Sequence, residues 1–68
     1  MKRILIVDDE AGSRESLKAI FSREYEVRLA GGAEEALALL SADRMDLVML
    51  DVIMPDRDGL WLLREIQN

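Results

Sequence analysis

Four acidic side chains stand directly behind short apolar runs: Asp8, Asp9 and Glu10 follow Ile4 to Val7, and Asp51 follows Leu47 to Leu50. The sequence holds no histidine and no cysteine, which removes imidazole bases, thiolate nucleophiles, thiolate zinc sites and disulfides. Any chemistry therefore falls to carboxylates. Carboxylates crowded together repel one another, and a hard divalent cation bound through oxygen relieves that repulsion. Magnesium suits an incomplete cage, because it keeps several waters and lets a phosphate oxygen complete its shell. With the charge so neutralised, the Asp51 carboxylate has the chemistry to accept a phosphoryl group as an aspartyl phosphate. Each acid also has an ordinary reading: Asp8 and Asp9 as caps of a following helix, and Asp51 as a turn former at a strand end. What separates the two readings is whether the acids meet in space.

The elements that must bring them together are legible in the apolar spacing. Ile4 to Val7 and Leu47 to Leu50 are unbroken aliphatic runs, as expected for strands covered on both faces. Tyr25, Val27 and Leu29 alternate with Glu26 and Arg28, which predicts an edge strand with one face partly wet. Leu17, Ile20 and Phe21 give a first helical stripe; Ala33, Ala36, Leu37 and Leu40 give a second, with Gly31 and Gly32 leading into it. Pro55 and the pair Asp58 and Gly59 predict a turn, after which Leu62, Leu63 and Ile66 form a third stripe, with Trp61 off it and half-exposed.

Three strand and helix units in succession imply right-handed crossovers and a parallel sheet with helices on both faces. A central first strand beside an edge second strand fits the order 2-1-3. The fold class predicted for residues 1–68 is thus α/β, a three-layer flavodoxin-like half-domain of three βα units. In that order the first and third strands are neighbours, and Asp8, Asp9 and Asp51 converge at their carboxyl ends, where such sheets bind ligands. A third strand buried on both sides with no fourth beside it would be an open apolar edge. The expectation is that further chain completes the sheet, the 68 residues being a truncated domain, or that a second copy covers the edge as a homodimer.

Fourteen acidic residues against nine basic ones give a formal charge of -5, with no basic run, which argues against direct nucleic-acid binding. The first apolar run is far too short for a signal peptide or a membrane span, so a cytoplasmic location is expected. Counted from Met54, residues Asp56, Asp58, Gly59 and Glu65 fall on ligand places of a calcium loop. The first place, however, is Met54, Pro55 follows it and a strand precedes it, so the segment reads as a turn. Gly31 and Gly32 lie in neither a GxGxxG nor a Walker pattern and read as glycines opening a helix. A phosphatase with an aspartyl nucleophile needs a second acid two residues on, and that place is Ile53, so no enzyme acting on an outside substrate is expected.

The runs Ile4-Leu5-Ile6-Val7-Asp8-Asp9-Glu10 and Leu50-Asp51-Val52-Ile53-Met54-Pro55, with Asp58-Gly59 behind, resemble the acidic pair and the phosphoacceptor strand of response-regulator receiver domains. The likeness runs in register over all 68 residues, with the flavour of receivers attached to NtrC-like transcriptional activators. It implies two-component phosphorelay signalling from a sensor histidine kinase, with Asp51 as phosphoacceptor. It further implies that Asp9 binds Mg2+ directly, that Asp8 does so through water or hydrogen bonds, that Asp51 itself is a ligand, and that the backbone carbonyl of Ile53 supplies another oxygen. Pro55 and Gly59 would shape the loop beneath. The family also uses a hydroxyl residue and a lysine on later strands. Of the two lysines here, Lys2 stands at the opposite end of the first strand and Lys18 inside the first helix, so neither replaces the latter.

Overall fold

The structure is a computed structural model that describes residues 1–50 and 59–67. Asp51, Ile53 and the turn predicted through Pro55 and Asp58 lie outside the described residues. The elements are β1 (Lys2–Val7), α1 (Ala11–Phe21), β2 (Tyr25–Ala30), α2 (Ala33–Ala42), β3 (Leu47–Leu50) and α3 (Gly59–Gln67).

The sheet is parallel with order β2-β1-β3, as the strand patterns predict. Ile4, Leu5, Ile6 and Val7 of β1 are all buried, so an unbroken aliphatic run is what the central strand requires. Successive side chains point to opposite faces. Leu5 and Val7 join Ala30, Ala33, Ala36 and Leu62 in one core cluster, which puts α2 and α3 on that face. Ile4 and Ile6 are buried yet outside that cluster, and α1, packed on β1 and β2, covers the other face.

Three expectations about packing need correction. β3 is not covered on both faces as its apolar run predicts: Leu47 is 49% exposed and the rest of the strand half-buried, while among the described residues it pairs with β1 alone, the open edge that the order 2-1-3 leaves. On α1, Leu17 and Phe21 are half-buried and Phe21 stacks edge-on with Tyr25 at 6.0 Å, but Ile20 is 66% exposed. Ile20 sits roughly 60° round the helix from Leu17, on the side away from Phe21, so it flanks the buried stripe rather than belonging to it. On α3 only Leu62 of the predicted stripe is buried, Leu63 and Ile66 facing outward, while the half-buried Trp61 packs on the core cluster. The inward face of α3 is thus turned by roughly 100° from the predicted one, because the helix packs against α2, with Leu62 and Trp61 reaching the core cluster.

The amino end of the sheet is held by charge. Arg3 Nε donates to Glu26 Oε2 at 2.7 Å across the β1–β2 pair, Arg28 Nη2 donates to Glu26 Oε1 at 3.1 Å, and Arg3 Nη1 lies 3.6 Å from Asp43 Oδ1. Asp46 starts β3: its side chain accepts from the Arg3 N–H at 2.7 Å while its own N–H donates to the Arg3 carbonyl at 2.9 Å. The hydrogen bond from Arg3, then the charges of Arg3 and Arg28, hold the Glu26 carboxyl below its ordinary value. A carboxyl depressed in the folded state contributes stability that is present above its unfolded value and lost as pH falls through the folded one. Glu26→Gln is therefore expected to lower the thermal midpoint near neutrality by a few degrees at most, since the pair is exposed. That gap closes as the pH is taken below the carboxylate range; a gap independent of pH in thermal melts would contradict the assignment.

Candidate functional site

The acidic residues sit where burial of β1 stops. Asp8 extends the pairing with β2 by one residue, its N–H donating to the Ala30 carbonyl at 3.1 Å. Its Oδ1 accepts from the Glu10 N–H at 3.0 Å, a side-chain turn that redirects the chain from strand to helix. Asp9 is exposed and, among the described residues, has no hydrogen-bond or ion-pair partner. Glu10 caps α1: Oε1 accepts from the Gly12 N–H at 2.9 Å, and Oε2 from the Ser13 N–H at 3.1 Å and the Ser13 hydroxyl at 2.7 Å. The hydroxyl first, then the two N–H groups, hold its carboxyl below the ordinary value.

The capping reading of Asp8 and Asp9 is thus corrected. Because the helix begins at Ala11, the residue before it, Glu10, meets the unpaired N–H groups of the first turn. Glu10 is occupied by its own helix, and Asp9 is left facing solvent.

Arg14 is the residue that sequence spacing missed. No cation adjoins the acidic run in sequence, yet one turn into α1 the Arg14 Nη1 donates to the Asp8 carbonyl at 2.7 Å. The available signal was its place four residues after the cap, which turns it back toward the strand end. On its far side lies Gly31, where an added Cβ would stand 3.2 Å from Nη1. The Gly31 N–H donates to Glu35 Oε1 at 2.6 Å, and the Gly32 carbonyl accepts from Ala36 N–H at 3.0 Å as α2 begins. Both glycines serve the start of that helix, as their sequence context suggested. An open groove of about 520 Å³ runs beside the acids, lined by Asp8, Glu10, Gly12, Ser13, Ser16 and Leu17.

The ladder between β1 and β3 sets Val7 opposite Leu50. Asp8 and Asp51 are their next neighbours in sequence, although Asp51 and Ile53 themselves are outside the described residues. Among the described residues no three acids gather into a metal cage. What Asp8 and Asp9 offer is an oxygen-only donor pair open to water, which fits Mg2+ with part of its hydration shell retained.

Comparison with known proteins gives these features a common context. Residues 4–68 match the response regulator receiver domain family. The response regulator MprA of Mycolicibacterium vanbaalenii is 48% identical over 67 residues, covering 97% of this chain and 29% of the relative. Among solved structures, the response regulator TrrA of Thermotoga maritima in complex with Mg(2+)-BeF is 46% identical with a TM-score of 0.91, over 98% of this chain and 59% of that one. The N-terminal domain of a response regulator receiver protein of Methanoculleus marisnigri superposes with a TM-score of 0.96 at 33% identity, over 100% of this chain and 56% of that one. TrrA has also been solved in complex with the histidine kinase ThkA. The chain spans less than a third of the curated relative and somewhat over half of the solved ones. With the parallel 2-1-3 sheet and the acids at the end of its central strand, this places the chain in the response regulator receiver family.

Proposed function

We propose that residues 1–68 are the phosphoacceptor half of a receiver domain, in which Asp51 takes a phosphoryl group in a Mg2+-dependent step. The observation that supports this reading is the β1–β3 register, which sets Val7 opposite Leu50, the two residues that precede Asp8 and Asp51 in sequence. Asp8, Asp9, Asp51 and the Ile53 carbonyl would hold the metal, whose charge lowers the repulsion between an anionic nucleophile and an anionic donor. An Asp51 carboxylate oxygen attacks phosphorus, the bond from phosphorus to a phosphohistidine nitrogen breaks, and that nitrogen keeps the electron pair and takes a proton. The donor would be a sensor histidine kinase, a partner class supported by the complex of TrrA with ThkA. The setting is cytoplasmic and the output of the parent protein is control of transcription, on the strength of the resemblance to receivers of transcriptional activators.

The domain transforms no outside substrate in this reading. The family's hydroxyl and lysine, which hold the phosphoryl group, have no counterpart in these residues, so residues 1–68 alone are expected to bind Mg2+ weakly and not to signal. Treating the complete gene product with a small phosphodonor and Mg2+ should add one phosphoryl group by mass, lost in Asp51→Asn and on chelation of the metal. Equal labelling of the two proteins would defeat the nucleophile assignment.

A second reading concerns association. Leu47 is 49% exposed, and among the described residues β3 pairs on one side only, a template for a second copy that lengthens the sheet. Sedimentation of the 68-residue chain at micromolar concentration is expected to give a dimer; a folded monomer there would exclude this reading.

A further inference from the structure

Arg14 is a cation held, half-buried, against the backbone of the acidic loop rather than against a carboxylate. Fixing so long a side chain costs conformational entropy, so the bond must secure something a surface arginine would not. It secures Asp8. The N–H of Asp8 is already paired with Ala30, and one side-chain oxygen with the Glu10 N–H. The carbonyl, beyond the last β1–β3 pair of the described ladder, receives its hydrogen bond from Arg14 at 2.7 Å. Three hydrogen bonds thus hold Asp8, and the one from Arg14 falls on the carbonyl of the peptide unit that joins it to Asp9. The absence of a Cβ at Gly31 leaves the guanidinium the room it occupies, which ties the loop after β1 to the loop after β2.

We propose that Arg14 is a positioning residue for the metal site: by pinning the Asp8 carbonyl it presents the Asp8 and Asp9 carboxylates as a fixed pair. The proposal rests on the Mg2+-dependent phosphoacceptor reading above, and its test separates the two.

Mg2+ affinity is measured by calorimetry on the complete gene product, as wild type, Arg14→Gln and Arg14→Lys, beside phosphodonor labelling. Loss of a residue that orients ligands weakens a metal by about tenfold or more, and a rise of that size in Kd is expected for the glutamine variant. Arg14→Lys, keeping the charge and a donor, recovers part or all of it. An unchanged Kd in Arg14→Gln overturns the proposal, even if the thermal midpoint falls, because the role would then be structural. Should that variant not fold, Gly31→Val displaces the guanidinium while leaving the acidic loop intact, and the same change or constancy of Kd decides. Wild type that binds no Mg2+, or that labels no differently from Asp51→Asn, defeats the underlying reading and the clamp with it; unchanged Kd in Arg14→Gln beside a Mg2+-binding wild type defeats the clamp alone.

Discussion

Burial of β1 on both faces is the constraint from which the rest of the molecule follows. Ile4, Leu5, Ile6 and Val7 are enclosed between α1 on one side and α2 with α3 on the other, each such side chain contributing about 1.5–3 kcal/mol of transfer free energy. The enclosed stretch Ile4 to Val7 tolerates no charge, so the first acid falls immediately past it, at Asp8. Both neighbours are parallel, which sends their carboxyl ends to the same edge of the sheet. The fold therefore sets its acids where chain and solvent meet, without any specific interaction needed to recruit them.

Charge is distributed differently at the two ends of that strand. At the amino end Arg3 is matched by Glu26 and Asp43, and Asp46 completes the start of β3, so the charges there neutralise one another and hold the sheet together. At the carboxyl end three successive acids have three separate fates. Glu10 satisfies its own helix, Asp8 turns the chain and keeps part of its carboxylate in reach of solvent, and Asp9 meets no protein partner among the described residues. Arg14 bonds at one remove, to a backbone carbonyl, and so occupies neither aspartate's carboxylate.

Where the sequence was legible, the reason is that one face of each element dominates. The continuous run Ile4 to Val7 and the alternation from Tyr25 to Leu29 specified strand type and order, because burial alone decides those patterns. Gly31 and Gly32 read correctly as the opening of α2. The missed features depend on geometry between elements. Ile20, Leu63 and Ile66 have helical spacing, but which flank of a helix is covered depends on the rotation set by its neighbours, and apolar spacing does not encode that rotation. Arg14 was invisible for the same reason: its partner is a backbone carbonyl six residues back, and no pattern of residue types marks a carbonyl as unpaired. Capping by Glu10 instead of the aspartates hinged on a one-residue difference in where α1 begins, the least legible property of a helix.

The central claim is that the acids after β1 and the acid after β3 form one cation site. Titrating Mn2+ into the isotope-labelled protein and following paramagnetic broadening of its amide signals tests this directly. The account predicts that the amides of Asp8, Asp9, Asp51 and Ile53 broaden first and together. Broadening spread over other acidic positions such as Glu24, Asp43 and Asp46, with the two strand ends no more affected than these, would contradict it.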